Sequence, residues 1–210
     1  MIAATPYIDS DHPAVVAFAR EATNGATTNR ERASRLFVAV RERLRYDPYT
    51  ITGAAYRASA VLEQARTYCI PKAVLLCAAA RAIGIPAWLG FADVKNHLTS
   101  EKLTRQLNGR DLFIWHGYTA LEIEGRIVKA TPAFNAALCA RFGVPALELD
   151  GVHDALLQPF DGQGRAYMTY VSDRGLYDEL PLERILDDFR TFYGLEDAPG
   201  TRDVRDDAFH

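Results

Sequence analysis

The sequence predicts an α+β fold in which helices feed an antiparallel sheet. Apolar residues recur at helical spacing between Asn29 and Arg45, and again in an Ala- and Leu-rich run from Ile70 to Ile83. From Ala87 the pattern changes to that of strands, and two alternating runs flank Glu124-Gly125 as the arms of a hairpin do. The chain of 210 residues, 49% hydrophobic and 10% aromatic, can bury one large core without covalent staples.

In order along the chain, the first expected helix presents Ala33, Leu36, Phe37, Val40 and Leu44 on one face. Arg30, Arg32, Arg35, Arg41, Arg43 and Arg45 fall largely on the others, interrupted by Glu31 and Glu42, which reads as a solvated face. The second helix tolerates Pro71 in its first turn and is stopped by Gly84 and Pro86. Ala87 to Val94 is apolar enough for a buried strand, and Phe113 to Ile123 with Arg126 to Ala130 make the hairpin. Beyond Pro132 come a mixed stretch, a strand around Arg165 to Val171, and a last helix from Leu182 to Tyr193. No repeat or low-complexity linker divides the chain, so residues 1–194 are expected to form one unit, followed by a polar tail at 195–210.

Composition excludes several classes. Three cysteines at irregular positions, with no signal-like start to the chain, point to a reducing cytoplasm. No apolar run reaches the roughly 20 residues that span a bilayer. A net charge of −3 offers no general attraction to phosphate backbones, so neither membrane nor nucleic acid is expected as a partner. The oligomeric state is not legible. The spacing of Cys69, Cys77 and Cys139 matches no zinc knuckle, and no metal or cofactor is expected.

The chemistry starts at Cys69. It opens the second helix, where free N–H groups and the positive dipole end favour thiolate over thiol, and thiolate is the attacking species. Of the five histidines only His116 falls in an expected strand. If Glu124-Gly125 is a two-residue turn, Ile123 pairs with Arg126. Counting back then sets His116 opposite Ala133, with Thr131 a diagonal step away on the same face. Asn135 shares that face by parity, although Pro132 interrupts a regular strand there. Nucleophile, base and orienter can thus come together, with Thr131 favoured by position and Asn135 also eligible as orienter.

Three stretches carry a family resemblance: Cys69-Ile-Pro-Lys-Ala73 running into Arg81-Ala-Ile-Gly-Ile-Pro86, then Trp115-His116-Gly-Tyr-Thr-Ala-Leu-Glu-Ile123, then Gly125-Arg-Ile-Val-Lys-Ala-Thr-Pro-Ala-Phe134. Together, over roughly residues 35–135, they resemble the transglutaminase-like superfamily, whose core is papain-like. The resemblance implies a papain/transglutaminase-like domain with residues 136–194 as an extension. It also implies a thiol-dependent hydrolase or acyltransferase acting on peptide, protein or small amide substrates. Cys69 would attack the carbonyl, His116 would hold the thiolate as an ion pair and then protonate the leaving amine, and Tyr46 would donate to the oxyanion beside the Cys69 N–H. The chain departs from the family pattern at Thr67, where glycine is usual, and at Thr131, where an aspartate is expected before the proline. A neutral hydroxyl brings no charge to an imidazolium, so the alternative is a binding module that keeps the fold without turnover.

Other residues have plainer expectations. Cys77 and Cys139 read as packing residues, and His97 and His153 as exposed. Asp47, Asp93, Asp161 and Asp173 are conceivable replacement acids. Met168 to Pro181 reads either as cleft lining or as an edge strand leading to a helix, and the polar loop Asn96 to Asp111 as a mobile determinant of substrate choice.

Overall fold

The computed structural model describes residues 2–97, 101–157, 160–161 and 163–195. The polar tail, apart from Leu195, and part of the 96–111 loop lie outside the described residues. Seven helices are described: α1 (Pro13–Ala22), α2 (Asn29–Arg43), α3 (Ala58–Val61), α4 (Cys69–Ala82), α5 (Glu101–Gln106), α6 (Ala136–Arg141) and α7 (Leu182–Tyr193). Strands β1 (Arg45–Tyr46) and β2 (Arg66–Thr67) form a small parallel pair. Strands β3 (Ala87–Asn96), β4 (Leu112–Ile123), β5 (Arg126–Ala130) and β6 (Met168–Tyr177) form an antiparallel sheet in the order β5-β4-β3-β6. The α+β class read from the sequence is the class observed.

Local chemistry accounts for most elements. Thr28 accepts a hydrogen bond from the Glu31 N–H at 3.1 Å while the Glu31 carboxylate reaches back to the Thr28 N–H at 3.4 Å, a capping box that starts α2. Helix α2 ends at Arg43, two residues earlier than its periodicity suggests, because Arg45 enters the parallel pair with Arg66. Of the α2 arginines and Arg45, Arg41 alone is buried, paired with Glu42 and Glu148. Helix α4 is buried on every side from Cys69 to Arg81, Lys72 and Arg81 being its only charged residues, and is the core helix around which the others pack. Glu124 and Gly125 take positive φ values of 51° and 77°, the type I′ turn the hairpin requires.

Several expectations need correction. Helix α1, started by Pro13 and capped by His12, was not foreseen; it buries Val15 and Ala19 against α4. The polar 96–111 segment contains α5, whose Leu103 is buried, so it is not simply a mobile loop. The last strand is Met168–Tyr177, displaced from 165–171, and it is an edge strand that leads through Leu180 and Pro181 into α7.

The predicted hairpin register holds from Ile123↔Arg126 to Thr119↔Ala130 and then stops. There Ala130 bridges Ala155 in parallel, and the Thr131 N–H donates to the Ala155 carbonyl at 2.9 Å. Pro132 has no N–H with which to continue the ladder. His116 is therefore not paired with Ala133; its strand partner is Ala92 on β3.

The sheet has two differently covered faces. On one, α4 packs against β4, and Thr119 donates its hydroxyl to the Ala73 carbonyl at 2.9 Å. On the other, Tyr118, Ala120, Ala92 and Val94 pack with Cys139, Leu157, Tyr167 and Met168, supplied by the chain after β5.

Candidate active site

Cys69 is the first residue of α4 and follows Tyr68 in extended conformation. The helix start approaches β4 closely because residue 117 is glycine: a Cβ there would stand 3.1 Å from the Cα of Ile70, closer than side chains normally tolerate. The Cys69 Sγ consequently receives N–H groups from Gly117, Ile70 and its own backbone, all favouring thiolate. Burial outweighs them, and the thiol is pushed up to about 11. The activation expected from the helix terminus is present, but it is not the dominant influence in the resting protein. Cys69 is only 9% exposed.

His116 follows a distorted residue. Trp115 has φ +58°, at a bulge where the β3–β4 register shifts between Ala92 and Val94. The bulge is held by charges: Asp93 accepts from the Trp115 N–H at 3.1 Å and from Arg174 at 2.6 Å. Asp188 accepts from the indole N–H at 2.7 Å and from Arg174 at 3.1 Å. The Arg174 guanidinium also lies 4.5 Å over the indole ring. This clamp fixes the backbone from which His116 projects. The imidazole itself is buried, its Nε2 has no hydrogen-bond partner among the described residues, and burial alone pushes its pKa down to about 4.

Cys69 and His116 line one small cavity of about 40 Å³, together with Tyr46, Tyr68 and Trp115. No hydrogen bond joins sulfur to imidazole among the described residues, and the shifts of both groups describe a neutral thiol beside a neutral ring. Tyr46 borders the same cavity, with its ring edge-on to Phe134 at 4.7 Å. Burial, and then the proximity of Cys69, hold its phenol well above the ordinary range, so it remains a donor.

The two eligible orienters separate. Asn135 is occupied elsewhere: its oxygen accepts from the Tyr46 N–H at 2.6 Å, and its amide donates to the Arg41 and Leu44 carbonyls, the latter at 3.0 Å. It tethers the end of α2 and does not reach His116. Thr131 is buried, and its hydroxyl makes no regular hydrogen bond. It does lie near enough to the Tyr170 hydroxyl to ease that group's burial-driven shift, and Tyr170 packs edge-on to His116 with ring centroids 6.2 Å apart. Thr131 and His116 thus share Tyr170 as a neighbour, a residue not singled out from the sequence beyond its place in a cleft-like stretch.

The conceivable replacement acids are engaged elsewhere. Asp47 caps the 3-10 turn at Pro48–Ile51 and pairs with Arg66, Asp161 closes its own turn with Arg165, and Asp173 binds Lys129. Asp93 acts on Trp115 rather than on the imidazole. Cys77 and Cys139 are buried free thiols, while His97 and His153 are exposed, as read.

A further residue of the site region, Lys72, was quoted in the sequence only as part of a motif. It is fully buried, and its Nζ donates to the carbonyls of Arg41, Leu44 and Ala133 at 2.9, 2.7 and 2.8 Å. Burial pushes the amine down to about 7, the Glu42 charge acts in the opposite direction, and the three carbonyls supply one acceptor for each ammonium proton. Two of those carbonyls end α2, so Lys72 caps one helix from the first turn of another. A lysine in the first turn of a helical run that is apolar from Ala73 to Ala80 was the available signal.

Comparison with known proteins adds the family. No curated protein matches the chain. Among solved structures, a putative protease from Parabacteroides distasonis aligns over 66% of this chain and 26% of its own, with 18% identity and a TM-score of 0.40. A putative cysteine protease from Cytophaga hutchinsonii aligns over 84% of this chain and 52% of its own, with 14% identity and a TM-score of 0.46. The chain therefore spans about a quarter and about half of those two proteins. The family model described as the transglutaminase-like superfamily matches residues 16–124, more than half of the sequence and the part that contains both Cys69 and His116. The chain belongs to the transglutaminase-like superfamily.

Proposed function

We propose that the protein is a thiol-dependent acyl-transfer enzyme, a hydrolase or acyltransferase that cleaves an amide bond in a peptide, protein or small amide. The observation that supports this most is the shared cavity: a thiol at a helix start, aimed at by three N–H groups, beside a buried imidazole with an unpartnered nitrogen. Because both groups rest neutral, His116 works as a general base rather than as half of a standing ion pair. It takes the thiol proton as Sγ bonds to the carbonyl carbon, and the carbonyl oxygen becomes an oxyanion met by the Cys69 N–H and the Tyr46 hydroxyl. The C–N bond then breaks, and His116 returns the proton to the leaving amine. Water or an acceptor amine attacks the thioester, gives a proton to His116, and the Cys69 thiol is restored. Thr131 supports the imidazolium as a neutral acceptor beside Tyr170.

The test is acylation by an activated ester, followed by mass spectrometry of the tryptic peptide Thr67–Lys72. The acyl group is expected on Cys69, at a rate reduced by about 100-fold or more in His116→Ala. Equal rates in the two proteins, or acylation elsewhere, overturn the proposal. The second reading, a binding module without turnover, is favoured by the missing carboxylate at Thr131; it predicts no His116-dependent acylation.

A further inference from the structure

We infer that the cleft beside His116 receives a large, uncharged apolar side chain next to the scissile carbonyl, with an aromatic ring as its best occupant. The inference rests on the Cys69–His116 reading and specifies which amides that site takes.

Size is the first argument. The cavity at Cys69, about 40 Å³, has room for little more than a water molecule or a reacting carbonyl. The neighbouring cleft, about 520 Å³, is in the range of ligand-holding sites. The two share a wall of Tyr46, Pro48, Leu103, Phe113 and His116. A group seated in the larger cleft therefore lies directly across His116 from the thiol.

Chemistry selects the occupant. The far wall is formed by Phe134, Leu138, Phe142, Leu157, Tyr167 and Met168. Phe134 stacks on Tyr167 at 6.2 Å and 29°, and Phe142 leans on the same ring at 6.2 Å while remaining 44% exposed. An aromatic cluster with one ring left open to solvent offers further stacking area. Charged occupants are disfavoured: the Asp47 carboxylate is taken by the Tyr49 N–H and Arg66, and Arg141 is exposed. A lysine, arginine or acidic side chain would lose its water without gaining a buried counter-charge.

The origin of the walls makes this a property of the chain itself. One wall comes from the matched segment 16–124; the other comes from residues 134–168, beyond it. Family membership alone does not supply this surface.

The experiment compares alkylation of Cys69 by the chloromethyl ketones of N-acetyl-phenylalanine and N-acetyl-alanine. The phenylalanyl reagent should react about 50-fold faster, the order expected for burying one aromatic side chain. That ratio should fall below about fivefold in Phe142→Ser and in Leu138→Arg. A wild-type ratio below about threefold, or a ratio unchanged in both variants, overturns the inference. Calorimetry on Cys69→Ser with N-acetyl-phenylalaninamide and N-acetyl-alaninamide needs no nucleophile. It keeps the two readings apart: at least about tenfold tighter binding of the phenylalanyl amide supports the cleft even if Cys69 proves unreactive. Equal binding, or none, refutes it even if Cys69 is acylated in a His116-dependent way.

Discussion

At the junction of α4 with β4, neighbouring groups fix the backbone that carries Cys69 and His116 several times over, whereas at the end of β5 the backbone is held but the Thr131 side chain is not. Around Cys69 and His116, a glycine contact, a threonine-to-carbonyl hydrogen bond, a charged clamp on a bulge and a buried lysine hold the start of α4 and strand β4 in place. Around Thr131, the β4–β5 ladder has ended, the hydroxyl has no regular partner, and Tyr170, whose hydroxyl lies near it, belongs to an edge strand. The difference teaches that placing a nucleophile and a base is a backbone problem, solved by packing. Orienting the base is a side-chain problem, and here it is left open in the resting protein.

The comparison is tested most severely at Lys72. Lys72→Met strips the Ala133 carbonyl of its donor and leaves the Arg41 and Leu44 carbonyls with the Asn135 amide alone, and about 3 kcal/mol of stability should be lost in urea unfolding. A change below about 1 kcal/mol would mean that water replaces the ammonium and that the junction is not pinned there.

The next effect concerns pH. The unfolded chain binds a proton at His116 near its ordinary 6.5, while the folded protein resists until about 4. Stability contributed by the neutral ring is thus complete above 6.5, falls as pH drops through that window, and is lost below 4, a total of about 3 kcal/mol. His116→Gln should unfold with a flatter dependence between pH 7 and 4. Parallel profiles would show that the ring is hydrated in the folded state.

Smallest is Thr131→Val. Removing a hydroxyl without a regular partner should change stability by less than about 0.5 kcal/mol while slowing Cys69 acylation by about five- to tenfold. A stability loss above about 1.5 kcal/mol would reveal a partner and erase the contrast between the two regions. An unchanged rate would remove Thr131 from the reaction.

The sequence carried most of the junction and little of what surrounds it. The β4–β5 hairpin was legible because Glu124-Gly125 must turn and its flanks alternate, and α4 because an apolar run is bracketed by Pro71 and Gly84-Ile-Pro86. Counting along the hairpin failed beyond Ala130 because a distant residue, Ala155, took over the pairing. The helix-terminus argument for Cys69 was sound locally and incomplete globally. Around the cavity at its sulfur stand Tyr46, Phe113 and Tyr193, which no local pattern brings to residue 69. Tyr170 and the Asp93–Arg174–Asp188 clamp depend on β6 pairing with β3, a contact across about 80 positions.

Lys72 also bears on the order in which the chain folds. Its three acceptors lie 31, 28 and 61 positions away, in segments that meet only when α2, α4 and the turn after β5 have docked. Until then the amine stays in water and the first turn of α4 lacks its anchor. The nucleophile one turn above it is therefore assembled in the same cooperative event as the core, and a half-folded chain does not present a primed thiol to its surroundings.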